Sequence, residues 1–96
     1  MKTMDYTLKE LIEIGEIKTA EELSTKWCMK NKNWYSRQKH AGGDFSIDAA
    51  INCLRRTRQR LAERHDDEGK RRLADIEKLL SNYLLQQHKV AEVAND

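Results

Sequence analysis

The sequence predicts an all-α protein of five helices in a single domain, three short ones in an N-terminal head (residues 1–45) and two long ones in an antiparallel hairpin (46–96). Three observations carry this. Leu, Ile and Val recur three and four residues apart instead of alternating. Glycines and Ser/Thr/Asn/Asp clusters punctuate that pattern at helix-length intervals, and no Pro interrupts it. With 96 residues, the chain has enough material for one modest core and none for a second domain.

The first helix is expected to open at Thr7-Leu8-Lys9-Glu10, which has the spacing of a capping box, with Leu8, Leu11 and Ile12 facing inward and Gly15 ending it. Ile17 then plugs the core from the connector. Thr19-Ala20-Glu21-Glu22 repeats the box and opens a second helix with Ala20, Leu23 and Trp27 on one side. The polar run Lys30-Asn31-Lys32-Asn33 reads as a turn, with Asn33 as N-cap of a third helix from Trp34 to about Ala41. Gly42-Gly43 closes it, and Ser46 is the expected N-cap of the fourth.

In the fourth helix Ile47, Ile51, Leu54, Arg58, Leu61 and His65 step by four and three, a heptad seam of about five turns with Arg58 as its polar interruption. Asp66-Asp67-Glu68-Gly69 reads as a break and a solvated link, with acidic groups suited to the dipole of the helix that follows. Leu73, Ile76, Leu80, Tyr83, Gln87 and Val90 then form a second stripe, and two such stripes joined by a short link fold back on each other. Leu79 and Leu84 widen this stripe, so a second surface is expected to be covered, by the N-terminal helices or by another copy of the chain. The final Ala-Asn-Asp is expected to fray.

Composition excludes several classes of function. No run approaches the roughly 18 apolar residues of a membrane span, and no charged-then-apolar leader opens the chain, which predicts a cytoplasmic protein with no membrane partner. Cys28 and Cys53 are in no metal or disulfide spacing and read as reduced, half-buried helix residues. There is no Gly-rich phosphate loop, no nucleophile beside a His base and no metal-binding signature, so no enzymatic activity, cofactor or metal is expected. His40 and His88 stand alone and read as surface residues.

The overall charge of +2 hides an asymmetry: residues 1–25 carry −3, 26–72 carry +7 and 73–96 carry −2. Focused positive charge suits an anionic partner. Lys26, Lys30, Lys32, Arg37, Lys39 and His40 surround Trp27, Trp34 and Tyr35 across two short helices joined by a polar turn. A helix-turn-helix lays its second helix in the DNA major groove, where Arg, Asn, Ser and Lys reach base edges and flanking Lys meet phosphates. With Tyr35 inward, Lys32, Asn33, Ser36, Arg37 and Lys39 form the expected contact set, with Lys30, His40 and Arg56 on backbone phosphates. Arg56, Arg60 and Arg64 follow one another at i, i+4 and i+8 on the fourth helix. That row reads either as a hydrated face relieved by Glu63 and the acidic link, or as a site for phosphate or an acidic protein surface.

Thr19-Ala20-Glu21-Glu22-Leu23-Ser24, then Trp34-Tyr35-Ser36-Arg37, then Gly42 and Phe45-Ser46-Ile47 ahead of a helix, resemble the Cro and phage-repressor type of helix-turn-helix over roughly residues 7–61. The similarity is closer still to short bacterial proteins in which this frame carries an aromatic pair on the third helix, as Trp34-Tyr35 does. The resemblance implies sequence-specific binding of double-stranded DNA in transcriptional control, as a homodimer, for which the C-terminal helices are the candidate element. The alternative is a protein-interaction module, an adaptor or inhibitor, on the same helix-turn-helix-like scaffold without DNA binding.

Overall fold

The structure is a computed structural model that describes residues 1–87; Val90 of the expected stripe, His88 and the Ala94-Asn95-Asp96 end lie outside the described residues. Regular structure within them is wholly helical: α1 (Thr3–Glu13), α2 (Ala20–Glu22) running on into a π-helical turn (Leu23–Trp27), α3 (Trp34–His40), α4 (Ile47–Glu63) and α5 (Asp67–Gln87).

α1 begins one turn before the expected capping box, because its cap comes from a distant residue. Both carboxylate oxygens of Asp44 accept from its first free amides, Thr3 N–H at 2.9 Å and Met4 N–H at 2.8 Å. Thr7 is therefore an interior residue, buried, with its hydroxyl donating to Thr3 O at 2.9 Å. The inner face is Met4, Thr7 and Leu11, whereas Ile12, expected inside, is 42% exposed. Gly15 ends the helix as expected, at φ +79°, with its N–H on Ile12 O and that of Glu16 on Leu11 O. Ile17 is buried in the core.

Thr19 caps α2 by accepting from Glu22 N–H at 3.3 Å, as its box implies. The helix then widens: Cys28 N–H reaches back five residues to Leu23 O, and the turn ends at Met29, which holds φ +57° and is 68% exposed. A left-handed backbone costs an L-residue about 1 kcal/mol. Met29→Gly should therefore stabilise the protein by about that amount and raise Tm by roughly 5 °C in calorimetry, whereas an unchanged or lower Tm would deny the strain.

The Asn33 side chain makes no cap bond to α3; Asn31 in the preceding turn accepts Trp34 N–H at 2.9 Å through its carbonyl and Asn33 N–H at 2.8 Å through Oδ1. Ser24, buried on the preceding helix, supplies a further acceptor: its hydroxyl donates to Ala20 O at 3.1 Å and accepts Tyr35 N–H at 3.1 Å, tying α3 to α2. Gly42 at φ +74° closes the helix, with Gly43 N–H on Gln38 O at 2.8 Å. Ser46 occupies the N-cap position of α4, but its hydroxyl donates to Asp48 instead of accepting from the helix.

The hairpin pairs within the chain, with α5 packed along α4 on one side and α1 on another. Its inner stripe is Leu73, Ile76, Leu80 and Leu84: the first three are as expected, but Leu84 takes the place expected of Tyr83, which is half-buried, while Leu79 is half-buried and α1 packs on a second side of α5. The α4 face differs from the expected seam. Ala49, Ala50, Cys53, Leu54 and Thr57 are buried, Ile47 is 41% exposed, and Ile51 and Leu61 are half-buried. Small residues win this face because α4 must approach α5 and the turn of α2 together, and large side chains there would hold the backbones apart. Both cysteines are fully buried rather than half-buried. Phe45 locks the head onto the hairpin, its ring stacked on Trp34 at 5.9 Å and met edge-on by Tyr83 at 6.1 Å, while Tyr83 Oη donates to Phe45 O at 2.7 Å.

α5 starts inside the expected break. Asp66 caps it by accepting Gly69 N–H at 2.9 Å, so Gly69 lies in the first turn rather than stopping the helix. The guanidinium of Arg64 lies where a Cβ at Gly69 would go, so any other residue there would make Arg64 shift.

Candidate functional site

α3 buries one residue and leaves most of its surface to solvent. Its inward side is Tyr35, buried, and Trp34 and Gln38, half-buried. Gln38 Nε2 donates to Asp44 O at 2.6 Å, and Lys2 Nζ to Gly42 O at 2.6 Å, so the segment that follows α3 is stapled to the start of α1. The helix is thus held from behind and from its C-terminal end, and its outward side is free.

That outward side carries Lys32, Asn33, Ser36, Arg37, Lys39 and His40, all exposed. No carboxylate lies in the sequence from Lys26 to Gly43. The side chains of Lys32 and Arg37 have no ion-pair or hydrogen-bond partner among the described residues. Asn33 uses only its backbone, accepting Arg37 N–H at 3.0 Å and donating to Asn31 Oδ1 at 2.8 Å, so its side-chain amide is available. The expected contact set therefore shares one surface.

Two of the expected cations are engaged elsewhere in the chain. Lys39 pairs with Asp5 at 3.2 Å, and Asp5 also accepts from the Tyr35 hydroxyl. That tyrosine bond, with Lys39 behind it, holds the Asp5 carboxyl below its usual range, and burial and Asp5 push the Tyr35 phenol up. Lys30 is half-buried and paired with Asp48, whose carboxyl its hydrogen bond draws down to about 2.

Arg56 does not join this surface. Its guanidinium lies over the Trp27 ring, 5.7 Å from the centroid, and bonds Gln59 Oε1 at 2.9 Å. The row it was to lead is not a free basic face either. Arg60 Nε and Arg64 Nη1 both grip Glu16 at 2.8 Å, and Glu63 and Asp66 take the remaining charge, as expected of the acidic link. Nothing in the sequence marks Glu16 except its place directly after Gly15, the glycine that ends α1.

Among the described residues no helix is long and apolar enough to cross a membrane, and no group of three or more His, Cys, Asp and Glu side chains could hold a metal ion. Residues 4–94 match a family described as a family of unknown function, DUF6626. The chain belongs to that family. No curated protein and no solved structure matches it. For this DUF6626 chain the geometry of α3 is accordingly the guide to function.

Proposed function

We propose that the protein is a small DNA-binding regulator that reads double-stranded DNA with α3, the second helix of a helix-turn-helix-like pair. One observation carries the reading: α3 and the two residues before it expose Lys32, Asn33, Ser36, Arg37 and His40, with the side chains of Arg37 and Lys32 unpaired among the described residues and no carboxylate beside them in sequence. A short exposed helix with a guanidinium and an amide one turn apart suits purine edges in the major groove. The Cro and phage-repressor resemblance points the same way, with Lys39 and Lys30 as phosphate contacts once the duplex competes with Asp5 and Asp48.

Fluorescence anisotropy with genomic fragments tests it. Binding should weaken steeply with salt, and Arg37→Ala should cost about 2 kcal/mol, roughly thirtyfold in Kd, and flatten the salt slope by about one. No binding at low salt rejects the reading, as does an Arg37→Ala variant that binds as well as the parent.

For a palindromic site two copies would meet on the α5 side, where Leu79 and Leu85 are half-buried amid exposed Asp75, Lys78, Asn82 and Gln86. Light scattering on the duplex complex reads the stoichiometry. The second reading, a protein-docking module, is favoured by the internal pairing of Lys30 and Lys39, which lowers the charge α3 offers to an anion. It calls for a stoichiometric protein partner and an Arg37→Ala variant with no nucleic-acid binding to lose.

A further inference from the structure

The eight arginines of the chain fall into two groups. Arg58, Arg60, Arg64, Arg71 and Arg72 each pair with a carboxylate. Arg37, Arg55 and Arg56 have none among the described residues, and the last two are neighbours in one place. They line a cavity of about 300 Å³ between the end of α2 and the middle of α4, with Lys26, Trp27, Asn52 and Gln59.

No carboxylate lines this cavity, and the nearest paired one, Glu22, reaches Lys26 only at 4.0 Å. Asn52 Nδ2 is already spent on Cys28 O at 3.0 Å. Arg56 Nε is buried and has no hydrogen-bond partner, although the guanidinium's other end bonds Gln59. A buried N–H of this kind is rare in a folded chain unless something else satisfies it. The Trp27 ring lies 5.7 Å from the guanidinium carbon on one side, leaving the group to turn toward an anion on the other.

We propose that this cavity is a phosphate-binding site, distinct from the α3 surface, in which Arg55, Arg56 and Lys26 take the oxygens of one phosphate group. Two guanidinium forks and an ammonium bring three positive charges and enough N–H donors to hold the oxygens of a tetrahedral phosphate, whether monoanion or dianion. An Arg56 that turns from the ring to the anion satisfies its Nε and a terminal nitrogen together. The phosphate is that of a free ester or of a nucleic-acid backbone, and the two sources are separable.

The test uses the full chain and the ¹⁵N–¹H Nε signals of its arginines. Sodium phosphate should move the Arg56 signal saturably, sodium chloride at matched ionic strength should not, and Arg58, tied to Glu77, should stay still. Arg55→Gln, at an exposed position, should weaken phosphate binding about tenfold, whereas Arg37→Ala should leave it unchanged. A short duplex that moves the Arg56 signal in the parent and in Arg37→Ala alike makes the source a nucleic-acid backbone; a signal answering to free phosphate alone makes it an ester. An Arg56 signal unmoved by phosphate and duplex, moved equally by chloride, indifferent to Arg55→Gln, or lost in Arg37→Ala overturns the proposal.

Discussion

Replacing Glu16 by Gln should destabilise the protein by about 2 kcal/mol and remove part of its acid sensitivity. The Glu16 side chain is 6% exposed and receives Arg60 Nε at 2.8 Å and Nη2 at 3.3 Å, with Arg64 Nη1 at 2.8 Å. Removing one member of a buried ion group leaves uncompensated charge, at about 3–5 kcal/mol where burial is complete. Here the two guanidinium groups are partly exposed and retain Glu63 and Asp66, which lowers the expected loss to about 2 kcal/mol. Burial raises the Glu16 carboxyl, but the hydrogen bonds from Arg60 and Arg64 outweigh it and hold the group below its ordinary value.

A carboxyl depressed on folding stabilises above its unfolded pKa, and that stability is lost as pH falls through the folded one. The parent should therefore lose stability below about pH 4.3, the ordinary glutamate value. Asp5, Asp48 and Asp66 are depressed as well, by Tyr35, Lys30 and Arg64 respectively, so Glu16→Gln should flatten the slope without abolishing it. Urea denaturation at neutral and acidic pH measures both effects. Equal stability of parent and variant at neutral pH would mean that the clamp contributes nothing, and an unchanged acid slope would place the sensitivity elsewhere.

What the sequence could reveal here was whatever lies within a turn or two of itself. Gly15, Gly42 and the Thr19 box act locally, through φ or through a bond to an amide three residues away, and each does what its spacing implied. The first part of the α5 stripe was legible because Leu73, Ile76 and Leu80 are large and apolar, so periodicity and burial coincide there; beyond them burial continues through Leu84 and not through the expected Tyr83, which is half-buried. On α4 periodicity and burial separate: the buried face is Ala49, Ala50, Cys53 and Thr57, residues with little hydropathy signal, while the more apolar Ile47 is left outside. Which face is buried depends there on how closely α5 and the turn of α2 approach, and a single helix does not encode that. The outward side of α3 follows from its polarity once Tyr35 is placed inward, and Tyr35 is buried with those residues exposed. The partners of Lys30, Lys39 and Arg56 were not legible, since Asp48, Asp5 and Trp27 are 18 to 34 residues away in the chain. The buried carboxylate of Glu16 was missed for the same reason, at a separation of 44 residues from Arg60.

Asp44 is the strongest case of such a distant bond, and Asp44→Ala should lower stability by about 2 kcal/mol, the upper end for a lost helix cap. Ordinary caps satisfy one amide, whereas Asp44 accepts Thr3 N–H, Met4 N–H and its neighbour Phe45 N–H, all within 2.9 Å. Its negative charge also faces the positive end of the α1 dipole. Alanine would orphan part-buried donors at the start of the helix, where no side chain of α1 can replace the carboxylate: Lys2, at the N-cap position, makes no cap bond. For a chain of this size that corresponds to a fall in Tm of roughly 10 °C. Asn, which keeps one acceptor oxygen but not the charge, should recover part of the loss. The change should also loosen the segment behind α3, because Asp44 O and Gly42 O hold Gln38 and Lys2 in the same staple. Hydrogen exchange would then accelerate at the amides of Thr3 and Met4 and in the last turn of α3, ahead of the α5 core. An Asp44→Ala variant with the parent's Tm and exchange pattern would show that α1 is capped by water as well as by its distant aspartate, and that α3 is positioned without it.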